Sequence, residues 1–294
     1  MTSRRSFIKS SSLISTGFLM SPTFETRKKS LIGLQLYTVR DAMQLDAVET
    51  LAKVAAIGYN TVEGATYSGS QQFYGLSASS FASELKKTGL VMPSNHYLLG
   101  QEKSKGEEVK GTLLHDWNQA VDDAAAAGLK YMVCSYLSVE ERGGIDHYKQ
   151  LAEIFNKAGE TCKKAGIQLC YHNHDFEFKP EGSQLPYEAL IDYSDKDLVK
   201  MELDLYWVTK AGHDPINLFN KYPGRFPLWH VKDMEKAEPH SFTEVGNGAI
   251  DFKKIFAQSK KSGMTNFFVE QDKCAGSPFD SISKSIAYIK KNLV

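Results

Sequence analysis

The sequence predicts an α/β protein with one domain, a TIM (β/α)8 barrel over residues 31–294. Three observations support this fold class. Short runs rich in β-branched and aromatic residues alternate with longer segments of helical apolar spacing, as parallel βαβ units require. Eight such units fit into about 265 residues, the usual size of this barrel. The G-x-G-x-x-G turn that typifies dinucleotide-binding doubly wound sheets does not occur in the sequence.

The eight predicted strands come from short runs of Val, Ile, Leu, Tyr and Phe, which favour extended backbone. They cover residues 31–37, 60–63, 91–95, 131–135, 167–172, 199–204, 227–231 and 266–270. Because the strands are expected to be parallel, their carboxyl ends should meet at one face of the barrel.

The predicted helices lie between these strands and have apolar residues at helical spacing. They cover residues 46–57, 79–87, 113–127, 148–165, 186–191, 215–221, 252–262 and 278–293. Several stop at or just before a glycine, as Gly58, Gly128 and Gly263 show. Glycine at that place favours the left-handed conformation that ends many helices.

Residues 1–30 have the layout of an export signal. Arg4 and Arg5 precede Phe7 and Lys9, and a short Ser-rich apolar run follows. The arginine pair resembles the Tat signal, so we expect a periplasmic protein; the alternative is a frayed basic tail. The apolar run, residues 13–20, is less than half of the roughly 20 residues that a spanning helix needs, so we expect no membrane association after export.

The overall charge argues against a nucleic-acid partner. The chain has 35 basic and 35 acidic side chains, and the first 30 residues hold six of the basic ones and one acidic one. The barrel is therefore mildly acidic, whereas proteins that bind the nucleic-acid backbone need excess Lys and Arg. The sequence leaves open whether the protein forms an oligomer.

The four cysteines do not form a recognisable motif. Cys134, Cys162, Cys170 and Cys274 include no C-x-x-C pair. Cys134 and Cys170 lie in apolar strand-like runs, where cysteine usually acts as a small buried hydrophobe. We expect no required disulfide.

Histidines and carboxylates are concentrated where the predicted strands end. The residues are Gln35, Tyr37, Glu63, Asn95, His96, His172, Asn173, His174, Asp175, Glu177, Glu202, Asp204, His230, Lys232, Asp233, Glu270 and Asp272. Individually, His96 could be a hydrogen-bonded core histidine, Glu202 a loop cap, and Lys232 with Asp233 a surface ion pair. Together they would face one mouth, where a divalent metal with imidazole and carboxylate ligands would keep the charges together.

Several of these segments carry a family resemblance. They are residues 33–41 (GLQLYTVRD), 58–63 (GYNTVE), 171–178 (YHNHDFEF), 202–207 (ELDLYW), 230–233 (HVKD) and 244–248 (EVGNG). In these segments the chain resembles the sugar phosphate isomerase/epimerase family of xylose isomerase-like TIM barrels, from about residue 31 to the end.

The resemblance implies one divalent metal ion: Mn, Mg, Co or Zn. Matched position by position, the ligands are His172, Asp204, His230 and Glu270. Family members that resemble D-tagatose 3-epimerase have glutamate where this chain has His172, and that glutamate is half of their acid/base pair. The departure leaves open whether His172 or His174 is the ligand on the fifth strand. Inosose dehydratase, a relative with a His-rich segment there, is a nearer guide at this position.

The family's chemistry implies an enzyme that removes a proton next to a carbonyl and stabilises the resulting enediolate. The expected substrate is a small sugar or keto-sugar, and the expected reaction is isomerisation or epimerisation. The predicted catalytic residues are Glu270, His174 and Lys232, and the predicted substrate-binding residues are Tyr37, Glu63, His96, Glu177 and Trp207. Two alternatives stay open: a keto-sugar lyase, dehydratase or hydratase, and a non-catalytic exported barrel that binds carbohydrate.

Overall fold

Eight parallel strands close into a barrel in a computed structural model that describes residues 31–101, 103–104 and 107–294. Each strand pairs with the next along the chain, and the eighth pairs with the first. They are β1 (Gly33–Gln35), β2 (Thr61–Gly64), β3 (Val91–Tyr97), β4 (Tyr131–Cys134), β5 (Gln168–His172), β6 (Val199–Asp204), β7 (Leu228–Val231) and β8 (Asn266–Val269). The predicted TIM barrel and its eight strands are confirmed. The predicted export signal lies outside the described residues.

Helices surround the strands. They are α1 (Arg40–Leu45), α2 (Ala47–Ile57), α3 (Ala78–Thr88), α4 (Trp117–Ala126), α5 (Ile145–Lys164), α6 (Pro186–Tyr193), α7 (Leu205–Lys210), α8 (Pro215–Lys221), α9 (Phe252–Phe256), α10 (Ser259–Ser262) and α11 (Pro278–Asn292). Each predicted helical segment is present in whole or in part. Two short helices, α1 and α7, were not predicted, because six residues are too few to show a helical period.

Several predicted boundaries were wrong, among them the following three. The segment 113–127 becomes helical only at Trp117, because the amides of Gly111 and Thr112 bond to the carbonyl of His115 in a preceding turn. The segment 252–262 is divided into α9 and α10. The strand predicted to Tyr37 ends at Gln35, whose side chain accepts a bond from the Tyr37 amide and caps a 3₁₀ turn.

An apolar plug fills the barrel interior below the polar residues. Cys170, Leu228 and Phe268 are fully buried and form one cluster with Val133. Each of the first three stands two positions before a polar strand-end residue, so it points to the same side of its strand. The plug therefore separates the polar layer at the carboxyl ends of the strands from the opposite end of the barrel.

In the part of the chain that the structure describes, no helix has both the length and the apolar character needed to cross a bilayer. All four cysteines are free thiols, and three of them are buried.

Candidate active site

Strand register brings the polar side chains together. His172 stands opposite Glu202 in the β5–β6 ladder, and Asp204 stands opposite His230 in the β6–β7 ladder. Partners in a parallel ladder share a face, and residues two apart on a strand do so as well. Glu202 and Asp204 therefore both point into the barrel, one layer above the other.

The deeper layer is a cluster of three histidines around one carboxylate, which we call the inner cluster. Glu202 Oε2 lies 3.0 Å from His96 Nε2, 3.0 Å from His172 Nδ1 and 3.2 Å from His230 Nε2. The four donor atoms all lie within 4.8 Å of one another, and all four residues are buried. His96 is thus part of the site and not an isolated core histidine.

Glu63 borders the inner cluster. Its Oε2 atom accepts a bond of 2.8 Å from Gln35 Nε2 and lies 2.5 Å from His230 Nε2. The other oxygen of Glu63 and the Oε1 atom of Glu202 are buried without a hydrogen-bond partner. Buried carboxylate oxygens normally have partners, so these two are open to a ligand.

The upper layer, which we call the outer cluster, is built around Lys232. Its ammonium lies 3.0 Å from Asp204 Oδ2, 2.7 Å from Glu270 Oε2 and 2.8 Å from Asp272 Oδ1. Lys232 is 2% exposed, so the alternative of a surface ion pair with Asp233 was wrong. His230 joins the two clusters, because its Nδ1 atom lies 2.7 Å from Glu270 Oε2.

The outer cluster keeps Glu270 ionised. Burial alone would raise the pKa of this carboxyl, but the charges of Lys232 and His230 and their hydrogen bonds hold its pKa well below the ordinary range. For Asp204 the balance is different: burial outweighs the attraction of Lys232 and raises its pKa to about 6. Glu270 is therefore ionised at neutral pH, which is the form that a carboxylate must have to accept a proton.

The histidines of the inner cluster carry different charges when only protein groups surround them. Burial works against the charged form, yet the nearby glutamates raise the pKa of His96 to about 9 and that of His230 well above its ordinary value. Burial and then the neighbouring cationic groups lower the pKa of His172, which is neutral. The cluster thus contains two imidazoles that a bound cation would deprotonate.

Hydrogen bonds to the start of α7 and to Asn173 fix Asp204 in place. Its Oδ1 atom accepts bonds of 2.9 Å from the amides of Tyr206 and Trp207 and so caps α7. Its own amide donates to Asn173 Oδ1 at 3.0 Å. These bonds leave Oδ2 facing the site, and they explain why a short helix follows β6.

Aromatic rings surround His174 at the mouth of the barrel. Its ring stacks on Phe176 with 5.8 Å between ring centres, lies 5.5 Å from Trp207 and meets Tyr136 edge to face at 5.1 Å. Its Nδ1 atom is buried without a partner. Burial and Lys232 lower the pKa of His174 to about 3, so its imidazole is neutral. Tyr37, after β1, is 43% exposed.

Glu177 holds the segment that carries His174. One carboxylate oxygen accepts a bond of 2.5 Å from the Tyr171 hydroxyl, and the other accepts from the His174 amide at 2.9 Å. The residue is fully buried, and both oxygens are bound by protein donors. Its predicted contact with substrate stays a prediction.

Glu177 should make stability depend on pH. Burial raises its pKa from 4.5 to about 7, so the folded state binds a proton that the unfolded state has released in this range. The free energy of unfolding should fall by up to about 3 kcal/mol as pH rises from 4.5 to about 7. Urea unfolding of the wild type and of Glu177→Gln checks this, because the variant cannot ionise. Parallel pH profiles for the two proteins would refute it.

Asp233 organises the loop that follows β7. Its carboxylate accepts bonds of 2.8–3.2 Å from the amides of Met234, Gly246, Gly248 and Ile250. A Cβ atom at Gly248 would lie 2.2 Å from Asp233 Oδ1, so only glycine fits this approach. The EVGNG segment is thereby held against the residues that follow β7.

Three of the four predicted metal ligands, Asp204, His230 and Glu270, are buried and offer ligand atoms that lie within 4.8 Å of one another. His172 Nε2 and His230 Nδ1 lie 3.6 Å and 3.9 Å from Asp204 Oδ2, and Glu270 is in contact with His230. Lys232 lies between the two carboxylates of this set. Glu202 was named among the strand-end residues but was given no role. Its spacing of two from Asp204 was the signal that placed it on the inner face.

The fold and the site define a class: parallel (β/α)8 barrels with buried imidazole and carboxylate donors at the carboxyl ends of the strands. A family model described as xylose isomerase-like TIM barrel matches residues 51–292, and the chain belongs to this family.

Proteins similar to this chain include isomerases and dehydratases by name. A sugar phosphate isomerase/epimerase from Parabacteroides distasonis is 29% identical, with a TM-score of 0.76 over 90% of this chain and 96% of the other. An inosose dehydratase from Lacticaseibacillus casei is 28% identical over 49% of this chain and 54% of its own length. The chain thus spans about half the length of the first curated relatives it matches. The IolI protein, solved with a bound zinc atom, shares the fold at 14% identity, with a TM-score of 0.67 over 90% of this chain and 99% of the other.

Proposed function

We propose that the protein is a metal-dependent isomerase or epimerase of a small sugar or keto-sugar. The observation that carries the proposal is Glu270, a carboxylate that is 5% exposed and is bound by both Lys232 and His230. This carboxylate is ionised at neutral pH, as a group must be if it is to remove a proton from a carbon beside a carbonyl.

The donor set fits a divalent metal ion. Imidazoles and carboxylates are the ligands that Zn²⁺ and Mn²⁺ accept, and the buried oxygens of Glu63 and Glu202 lack protein partners. The ion would be held by His172, His230 and the carboxylates beside them. When bound, it supplies Lewis acidity toward the substrate's carbonyl or hydroxyl oxygens.

The remaining groups would bind and orient the sugar. Lys232 keeps Glu270 charged and can stabilise the negative oxygen that forms when the proton leaves. His174, on the β5 side with a free ring nitrogen, would bind a hydroxyl opposite Glu270. Trp207 and Tyr37 offer ring faces on which the apolar face of a sugar can pack.

A second candidate is a keto-sugar dehydratase or hydratase. It is favoured by His172, which stands where the related epimerases have the second catalytic glutamate. A site with one carboxylate base can remove a proton and then expel a neighbouring hydroxyl, with no second carboxylate to reprotonate the carbon. The likeness to inosose dehydratases supports the same candidate.

One experiment separates the two candidates. Metal-loaded protein is incubated with a panel of keto-sugars in D₂O, and the products are analysed by mass spectrometry and NMR. Deuterium at a carbon next to the carbonyl with no other change of mass supports isomerisation or epimerisation. Loss or gain of one water supports the second candidate instead. A protein that gives neither with any sugar of the panel would contradict both.

A further inference from the structure

We infer that the substrate is a glycoside, in which the sugar that reacts carries a second ring with an apolar face. The inference deepens the proposed function and rests on it for the reacting sugar. It depends on rings at the mouth of the barrel that follow one another in contact. We call them the aromatic wall, which consists of Trp207, His174, Phe176 and Tyr136.

The aromatic wall begins at the polar site. The ring centre of Trp207 lies 6.0 Å from Lys232 Nζ, and the ring centre of His174 lies 5.5 Å from that of Trp207. Lys232 in turn contacts Glu270, the proposed base. A sugar whose reacting carbon lies beside Glu270 therefore meets Trp207 and His174 first.

The wall continues outward to the surface of the protein. Tyr136 follows β4, and its ring centre lies 5.1 Å from that of His174 and 6.0 Å from that of Phe176. Tyr136 is 39% exposed, whereas Lys232 is 2% exposed. A sugar ring is about the size of an aromatic ring, so a free monosaccharide beside Lys232 leaves the outer part of the wall uncovered. A second ring on the same molecule would cover it.

Arg142 braces the outer rings from one side. Its guanidinium lies over the ring of Phe176, 3.5 Å from the centre, and over the ring of Tyr136 at 5.1 Å. It also donates bonds of 2.6 Å to the Tyr136 hydroxyl and 2.9 Å to the carbonyl of Leu137. Since an aromatic ring has two faces and Tyr136 is partly exposed, its second face is open to a ligand.

A buried carboxylate fixes the loop that carries Tyr136. Glu141 is 3% exposed, and its oxygens accept bonds of 2.8 Å from the amides of Ser138 and Gln101. The loop after β4 is thereby tied to the loop after β3. A ring that is already held in place loses little freedom when a ligand packs on it, so this part of the wall is preorganised for binding.

The position of the wall indicates what covers it. The wall is continuous with the polar site at Trp207, so the group that packs on Tyr136 belongs to the molecule that enters the site. Aromatic side chains bind ring-shaped groups through their faces and edges, and they accept the apolar face of a sugar as well as an aromatic group. The second ring is therefore a sugar or an aromatic group linked to the sugar that reacts.

Binding to metal-loaded full-length protein is measured by saturation-transfer NMR titration. The probes are the phenyl and methyl β-glycosides of glucose, galactose and xylose, and cellobiose, whose second ring is a sugar. At least one phenyl glycoside, or cellobiose, should bind about 10-fold more tightly than the methyl glycoside of the same sugar. The protons of its second ring should receive strong saturation. Whether a phenyl glycoside or cellobiose shows the gain tells which kind of second ring the wall accepts.

Tyr136→Ala should remove this preference, because the outer ring is lost. Tyr136→Phe should keep it, because the ring remains and only the bond to Arg142 is lost. Phe176→Leu, on the loop after β5, should reduce the preference independently. The matched control is Tyr193→Ala, which removes a tyrosine that is 50% exposed on α6 and should leave every Kd unchanged.

The inference is overturned if no probe with a second ring binds the wild type more tightly than the matching methyl glycoside. It is also overturned if Tyr136→Ala keeps the preference, or if Tyr136→Phe loses it as Tyr136→Ala does. Thermal melts report folding of every variant, and Phe176→Leu replaces Tyr136→Ala if the latter does not fold. None of the probes has a keto group, so a failure here leaves the proposed reaction standing. Absence of deuterium exchange would likewise leave the binding of a second ring standing.

Discussion

Replacing Glu270 with glutamine is expected to lower kcat by about 10³-fold, within the range that general bases contribute. The amide that replaces the carboxylate cannot accept a proton, although its size is nearly the same. KM should change much less, because Glu270 acts on the bond that breaks and not on the rest of the sugar. Steady-state kinetics with the sugar identified by deuterium exchange measures both parameters.

The control for this variant is Glu153→Gln. Glu153 is exposed on α5, and the same substitution there should leave kcat unchanged. Thermal melts of both variants show whether loss of turnover comes from unfolding, since Glu270 also pairs with Lys232 and His230. A folded Glu270→Gln protein with full turnover would remove the assignment of Glu270 as the base.

The barrel could be predicted from the sequence because its signals are local. The run that forms β6 alternates apolar residues (Val199, Met201 and Leu203) with polar ones (Lys200, Glu202 and Asp204), so pattern alone places it. The same holds for helices that end at glycine, such as α2 before Gly58. Such features depend on residues that are only a few positions apart in the chain, so the sequence alone predicts them.

What could not be predicted depends on contacts between distant residues. The helix α7 exists because Asp204 caps it, and Asp204 is itself held by Asn173, 31 residues earlier. The turn before α4 is held by backbone hydrogen bonds, and no particular residue type predicts them. Tertiary contacts decide these boundaries, and a single sequence does not show them.

The sequence predicted which residues form the site, but not which of its two layers each residue joins. Alternation indicates that Glu202 and Asp204 face inward, yet only the barrel's closure shows that Glu202 meets His96, 106 residues away. The ammonium of Lys232 lies among three carboxylates from β6 and the end of β8, a contact that spacing along the chain cannot reveal. The division into an inner and an outer cluster is therefore a property of the fold.

Lys232→Met should be the most destabilising single substitution in the site. It removes the one ammonium that contacts the buried carboxylates of Asp204, Glu270 and Asp272 in the described residues. Removing one partner of a buried ion pair usually costs about 3–5 kcal/mol, because the remaining charge has no compensation. Urea unfolding at neutral pH measures the loss. Acidification should restore part of the stability, since Asp204, whose pKa is already raised to about 6, then takes up a proton.

The matched control is Lys87→Met, which removes an exposed lysine from its pair with Glu84 and should leave the unfolding midpoint nearly unchanged. The same experiment tests whether the carboxylates of the outer cluster need a cation. Zn²⁺ that binds to the freed carboxylates should recover part of the stability that Lys232→Met loses. If Lys232→Met is as stable as the wild type at neutral pH and binds no additional Zn²⁺, then the outer carboxylates do not need a cation and the role assigned to Lys232 is wrong.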